Sequence, residues 1–306
     1  MSRKLRFIPE GGGLVEVTCR TLQSRFLLRP SPELNDLVVG VFGRAQRLYG
    51  VRCCALAMLS NHYHALLIVD DQLQLSNFMG YLNSNLARET GRLSEWSDKI
   101  WSRRYQAILV SDEEGAQVGR LAHILEQGVK ESLVERVRDW PGIHSARALV
   151  EGVDLQGHWF DRTQEYTARR RGEEFDRLRY ATVETLHFSP LPCWKHLPET
   201  TWRQRVVAMI TDIDKQAAAR RSRTGSQVLG PSAIRGQHPH DRPACSKRSP
   251  APFVHAMSAK VRREIWTGYR CFVAAYRDAA EKLQAGNLAA PFPVGSFPPA
   301  LPFVSG

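Results

Sequence analysis

The chain has 306 residues, with 42 Lys and Arg against 31 Asp and Glu, so its formal net charge is +11. This length exceeds what one compact domain usually needs and indicates two domains. The basic surplus favours a polyanionic partner, with nucleic acid ahead of a membrane surface. The six cysteines form no CxxC pair, which argues against a secreted disulfide framework.

The cellular compartment is predicted from what the chain lacks. Its first residues are basic but contain no apolar core of the kind found in signal peptides. No apolar run reaches the ~18 residues that a membrane span requires. These features predict a cytoplasmic protein without a membrane partner.

The first elements alternate between strand and helix patterns. Residues 14–20 alternate apolar and polar side chains and predict a half-buried strand. Its apolar face is formed by Val15, Val17 and Cys19. Ser31 as N-cap and Pro32 in the first turn then open an amphipathic helix, which Gly50 ends.

The middle of the N-terminal half continues the alternation. Residues 51–59 and 62–69 predict two strands joined by the turn at residues 60–61. A helix is predicted from about residue 76 to residue 88, and a fourth strand over residues 105–110.

The next segment predicts one more helix. Ser111 with Glu114 is a capping-box pattern that opens a helix reaching about Lys130. The first six elements have the order of the ferredoxin-like βαββαβ fold, an antiparallel sheet with helices on one face. The predicted class is therefore α+β, with an added helix and then a mostly helical C-terminal extension.

The composition changes after the first half and predicts a division into residues 1–145 and 146–306. The second part is basic and helix-rich, with a Pro-, Gly- and Arg-rich linker at about residues 223–256 and a Pro-rich tail. Its strongest helix pattern begins at Ser258 and ends at Gly286. No tight zinc motif is formed by the ligand-type residues of this region, which are His238, His240, Cys245 and His255.

Two histidines on the third predicted strand are candidate metal ligands. His62 and His64 are two residues apart, so they project to the same face, while Tyr63 points to the face that the helices would cover. Two adjacent imidazoles suit a shared divalent cation. The alternative for so short a motif is a pair of surface or hydrogen-bonded histidines.

The helix after residue 111 has a polar face opposite its apolar stripe. The stripe consists of Val118, Leu121, Leu125 and Val129. His123 and Gln127 lie one turn apart on the other face, flanked by Arg120 and Lys130. This face either closes over the two histidines or is simply solvated.

Three segments in this order resemble a known family. They are LSNHYHALLIV, IWSRRYQAILVSDEE and RLAHILEQGVKESLVERVRDWPG. The first resembles the HUH motif of single-tyrosine transposases, and together the three resemble the REP-associated tyrosine transposases over about residues 10–145.

The resemblance implies metal-assisted cleavage and joining of single-stranded or hairpin DNA by a homodimer. In that family two HUH histidines and a polar side chain hold Mg²⁺ or Mn²⁺, which matches His62, His64 and Gln127 here. A tyrosine four residues before the polar ligand attacks the phosphate, and this chain has His123 at that position. Tyr105 is the nearest substitute nucleophile, although a tyrosine that begins an apolar strand usually packs there.

Basic residues near these positions are candidate DNA contacts. They are Arg103, Arg104, Arg120 and Lys130. The first two could equally belong to a solvated turn.

Three hypotheses remain open from the sequence. The first is a transposase of the HUH type, with enzyme activity in doubt because of His123. The second is a catalytically silent protein that binds DNA hairpins. The third is an unrelated RNA- or DNA-binding regulator on a ferredoxin-like fold.

Overall fold

A computed structural model of the protein describes residues 5–172, 176–244 and 252–300. Apart from short 3₁₀ turns, its first elements are β1 (Gly13–Arg20), α1 (Pro32–Tyr49), β2 (Arg52–Leu59), β3 (His62–Val69), α2 (Gln72–Leu93), β4 (Gln106–Val110) and α3 (Glu114–Leu125). This order confirms the predicted α+β class and the ferredoxin-like arrangement with α3 as the added helix.

The second half is mostly helical, as predicted. It contains α4 (Ala146–Glu151), β5 (Leu155–Phe160), α5 (Arg162–Arg170), β6 (Ala181–Leu186), α6 (Glu199–Thr224), α7 (Pro231–Gly236), β7 (Val254–His255) and α8 (Ala259–Gln284). The predicted linker at about residues 223–256 therefore contains α7 and β7, while residues 245–251 within it lie outside the described ranges. The division at residue 145 stays a prediction. Within the described ranges, no helix is both long and apolar enough to span a membrane.

The main sheet has the strand order β2-β3-β1-β4-β7. β1 pairs antiparallel with β3 and β4, and β3 pairs antiparallel with β2. β7 adds two residues parallel to β4, so the C-terminal half extends the sheet of the N-terminal half. β1 is central, and its register sets Thr18 opposite His64.

One face of the sheet is covered by α1 and α2. Tyr63 points to this face and is fully buried. The ring of Phe42 in α1 lies 5.9 Å from that of Tyr63 and 6.5 Å from that of Phe78 in α2, both in edge-on contacts. Such contacts add to the free energy of burial, so this aromatic cluster holds the helix layer on the sheet.

The opposite face is covered by α3, with α6 packed behind it. Leu121, Ile124 and Leu125 are buried at helical spacing, in one core cluster with Leu14 and Leu66 of the strands. The sheet is therefore covered on both faces. The face that carries the two predicted metal histidines lies under α3.

Two of the predicted helix starts are confirmed. Ser31 accepts a hydrogen bond from the backbone N–H of Leu34 at 3.1 Å, and Ser258 accepts one from Val261 at 3.1 Å. α2 is longer at both ends than the sequence pattern predicted.

α3 differs from its prediction at both ends. The capping box is wrong because the Ser111 hydroxyl donates to the Glu113 carboxylate at 2.8 Å, and Glu113 itself occupies the N-cap. The helix ends at Leu125, short of Lys130, because Gly128 follows in a left-handed conformation with φ 84°. Residues after Leu125 are therefore loop residues.

The small sheet of β5 and β6 lies against α1. Close approach requires a glycine, since a Cβ on Gly43 would stand 2.7 Å from the carbonyl oxygen of Thr185. Arg44 and Arg47 then form ion pairs with the buried carboxylate of Glu184 at 2.9 and 2.8 Å. Backbone packing and these ion pairs attach the C-terminal half to the N-terminal helices.

We expect Phe42→Ala to lower the free energy of unfolding by about 3–5 kcal/mol, because the change removes a buried ring and leaves a cavity. Leu73→Ala is the control, since Leu73 is 47% exposed and its truncation should change stability by about 0.5 kcal/mol or less. Urea denaturation followed by circular dichroism measures both. Equal losses in the two variants would contradict the core position of Phe42.

Candidate metal centre

A buried carboxylate lies at the middle of β1, on the face that α3 covers. Glu16 is 4% exposed, and each of its oxygens faces a different pair of side chains. Oε1 lies 3.1 Å from His64 Nδ1 and 4.0 Å from His123 Nε2. Oε2 lies 3.0 Å from His255 Nε2 and 3.4 Å from Arg120 Nη1. Strands β1, β3 and β7 and helix α3 therefore meet at one acidic group.

Glu16 is ionised despite its burial. Burial by itself raises the pKa of this carboxyl, but the adjacent His255, a hydrogen bond from His64 and the charges around them outweigh that effect. The resulting pKa is well below the usual range of a glutamate. His255 stands at ion-pair distance but off the direction of a standard N–H···O bond, so its contribution is mainly electrostatic.

The two histidines of β3 share a face and are held in defined orientations. Their ring centroids are 5.1 Å apart. His62 Nδ1 lies 2.6 Å from Asn61 Oδ1, and His64 Nδ1 lies 3.1 Å from Glu16 and 3.0 Å from Thr18 Oγ1. Burial lowers the pKa of both rings, which favours neutral imidazoles.

His123 is oriented in the same way from the opposite side. Its Nδ1 lies 3.2 Å from Glu126 Oε1, which also accepts a hydrogen bond from Lys130 Nζ at 2.7 Å. The hydrogen bond from His123 contributes most to lowering the pKa of Glu126, to about 2. The His123 ring stands 5.4 Å from that of His64, with Nε2 toward Glu16.

These contacts assign the free atom of each ring. A carboxylate only accepts hydrogen bonds, so Nδ1 of His64 donates to Glu16 and Nδ1 of His123 donates to Glu126. In the neutral tautomer of each ring, Nε2 then keeps the lone pair. Nδ1 of His62 faces the Asn61 amide oxygen in the same sense. Metal-binding histidines commonly have this arrangement, with one nitrogen bound to an oxygen acceptor and the other directed at the cation.

The donors fit a divalent cation. Glu16, His64 and His123 each bring a ligand atom to within 4.8 Å of the other two, and His62 stands beside them. One ionised carboxylate with neutral imidazoles suits Mn²⁺, Fe²⁺ or Zn²⁺ better than Mg²⁺, which prefers oxygen ligands. Arg120 and His255 face only Oε2, so Oε1 remains directed at His64 and His123.

The structure places Gln127, the predicted third ligand, just after α3. It is buried, and its Nε2 donates to the carbonyl oxygen of His123 at 2.8 Å. Its amide therefore supports the end of the helix that carries His123. A direct role of Gln127 in metal binding stays a prediction.

Tyr105 and its neighbours lie away from this centre. Tyr105 alternates with Ala107, and both pack into the core cluster on the α1 and α2 side of the sheet. The guanidinium of Arg6 lies 3.7 Å above the Tyr105 ring and donates to its hydroxyl, and burial raises the pKa of this tyrosine. Arg103 and Arg104 line a cavity on the same side. The structure thus separates these three predicted residues from the histidines, because the sheet stands between them.

Sequence reasoning missed two residues of the centre. The position of Glu16 could have been found from the sequence, since it lies between Val15 and Val17 on an alternating strand and must therefore face the opposite side of the sheet from them. The position of His255 could not, because only two residues of β7 pair with β4. Of the ligand-type residues weighed with it, Cys245 lies outside the described ranges.

Comparison with solved structures finds similarity to several chains, of which two are described as transposases. One is a REP-associated tyrosine transposase bound to a REP hairpin, with 19% identity and a TM-score of 0.41 over 50% of this chain and 87% of that chain. The other is described as a transposase candidate from Deinococcus radiodurans R1, with 18% identity and a TM-score of 0.29 over 40% of this chain and 96% of that chain. No family model and no curated protein matches the chain. A member of the family that the motifs resemble is thus among the similar solved structures, and any function has to be argued from the residues of this chain.

We expect His64→Ala to abolish Mn²⁺ binding and Glu126→Ala to weaken it about 10- to 100-fold, because Glu126 orients a ligand without being one. Glu135→Ala is the matched control, since it removes an exposed carboxylate from the following loop. Isothermal titration with Mn²⁺ gives the affinities of wild type and the three variants. Equal Mn²⁺ binding by wild type and His64→Ala would show that His64 is not part of a metal centre.

Proposed function

We propose that the protein binds single-stranded or hairpin DNA over a divalent-metal centre of the HUH transposase type. One observation carries the proposal. His64 and His123 converge on Oε1 of an ionised, buried Glu16 on one covered face of the sheet, and each of the three residues has a ligand atom within 4.8 Å of the other two. A buried charge is costly without compensation, and a cation held between Glu16, His64 and His123 would add to the compensation that Arg120 and His255 give.

Glu16, His64 and His123 would hold the cation, with His62 beside them. Such a cation supplies Lewis-acid polarisation of a phosphate oxygen. Arg120 extends from α3 to the same carboxylate and is well placed to contact a neighbouring phosphate oxygen. The donor set favours Mn²⁺ over Mg²⁺ within the predicted pair of ions.

This chain departs from the family at the residue that would carry out the covalent step. His123 Nε2 faces Glu16, which supports a ligand role, and a nitrogen cannot bind a cation and attack phosphorus at once. As a nucleophile, His123 would form an N–P bond while the P–O bond to the 3′ oxygen breaks and that oxygen takes up a proton. We therefore propose DNA and metal binding with little or no strand cleavage, so the silent binder is favoured over the active transposase.

The third hypothesis, an unrelated nucleic-acid regulator, requires no metal. Its histidines would be structural, and their removal would leave DNA binding and metal content unaffected. The predicted homodimer stays a prediction from the resemblance, to be tested by light scattering.

We expect His123→Tyr to gain a covalent, acid-stable adduct with a labelled DNA hairpin in the presence of Mn²⁺, whereas wild type forms none. The phenol restores the hydroxyl nucleophile, while Glu16 and His64, with His62 beside them, remain to hold the cation in both variants of His123. A phosphoramidate on His123 would be lost in acid. Denaturing gels after acid treatment measure the adduct. His123→Phe is the matched control, since it has the same ring without the hydroxyl.

Two outcomes would contradict this account of His123. An acid-stable adduct on wild type that is lost in Tyr105→Phe would make Tyr105 the nucleophile. A His123→Tyr protein that binds metal and hairpin DNA without any cleavage would show that the site has lost more than one residue.

We also expect the affinity for single-stranded DNA to fall steeply with salt, because phosphate contacts release counterions in proportion to their number. Arg120→Ala and Lys130→Ala should each reduce the slope of log K against log salt by about 0.7. Arg103→Ala carries the same charge change on the other side of the sheet and should leave the slope unchanged. Equal slopes in all four proteins would mean that DNA does not lie on the α3 side.

A further inference from the structure

A cavity of about 540 Å³ opens next to the metal centre, between α3 and the segment formed by β7 and the start of α8. Arg120 and His255, which face Glu16, also line this cavity. Its outer wall contains Phe253, Trp266 and Arg262. The cavity is thus continuous with the centre but is built largely by the C-terminal half.

Two aromatic rings are stacked on each other in this wall. Phe253 and Trp266 are stacked with 4.5 Å between ring centroids and 18° between their planes. Tyr269, which is buried, packs against both rings at 4.7 and 5.4 Å and supports them from below. Trp266 is 41% exposed, so a supported indole remains accessible.

The polar groups of the cavity wall are basic. Arg262 donates to the carbonyl oxygen of Ala256 at 3.2 Å and forms no ion pair among the residues that the structure describes. Arg120 contributes a second guanidinium, and none of the residues that line the cavity is acidic. On α3, a Cβ at Gly119 would meet nothing within 4 Å, so the helix leaves this space open.

We infer that this cavity binds one unpaired nucleotide of single-stranded DNA, with the base stacked on Trp266 and its phosphate between Arg120 and Arg262. Aromatic platforms next to cationic groups are how proteins bind single strands without reading sequence. The cavity volume lies within the ~300–1,000 Å³ range of small-molecule sites, which accommodates one nucleotide. An acidic peptide would satisfy the arginines but would leave the stacked rings without a flat partner.

This inference rests on the proposed function and adds the position of the strand. A nucleotide held here lies directly beside Glu16, because Arg120 borders both the cavity and the carboxylate. The C-terminal half, to which the sequence pattern assigns no role, thereby contributes to recognition of the DNA strand.

The test is fluorescence anisotropy with a labelled single-stranded 12-mer in the presence of EDTA, so that no metal contributes. Trp266→Ala should weaken binding about 5- to 100-fold, and Trp266→Phe should restore most of it because the stacking face remains. Arg262→Ala should weaken binding more than Arg263→Ala, its adjacent and exposed control on the same helix. Mn²⁺ binding by Trp266→Ala should equal that of wild type.

The outcomes separate this inference from the proposed function. Wild type that fails to bind the oligonucleotide both in EDTA and with Mn²⁺ overturns both, whereas binding that requires Mn²⁺ overturns only the metal-independent nucleotide pocket. If Trp266→Ala and Arg262→Ala bind the oligonucleotide as tightly as wild type does, only the nucleotide pocket is overturned. Trp266-dependent binding of a polyglutamate peptide in place of DNA would assign the cavity to a protein partner and also overturn the inference.

Discussion

The rest of the structure depends on one buried negative charge. An unpaired carboxylate inside a sheet would cost several kcal/mol, so Glu16 requires compensation from groups that the strand itself does not contain. That compensation comes from His64 on the neighbouring strand, from His123 and Arg120 on α3, and from His255 on β7. The layer over this face is therefore organised by electrostatics as much as by apolar burial.

The two faces of the sheet differ for this reason. The α1 and α2 side is an aromatic and aliphatic core in which Phe42, Tyr63 and Phe78 meet edge-on. The α3 side has apolar contacts around a polar centre, and Glu126 at the end of α3 holds the His123 ring. A single sheet thus separates a part that stabilises the fold from a part suited to chemistry.

Much of the fold could be predicted because its signals are local. Alternation identified the strands, and Ser31 and Ser258 marked helix starts correctly. The shared face of His62 and His64 follows from the pleat alone. Glu16 was missed since a lone acid in an alternating strand usually faces solvent, and only the packing of α3 and β7 removes that solvent. His255 depends on pairing between strands far apart in sequence, which leaves no periodic pattern.

The two-residue strand β7 has a consequence for the order in which the molecule assembles. A ribosome releases the N-terminal strands and α3 long before it reaches His255, so during synthesis Glu16 has His64, His123 and Arg120 as neighbours but lacks its last one. Closing so long a loop is entropically costly and comes late. Water therefore has access to the carboxylate until the C-terminal segment docks, and the same docking event excludes solvent and forms the wall that Phe253 and Trp266 provide.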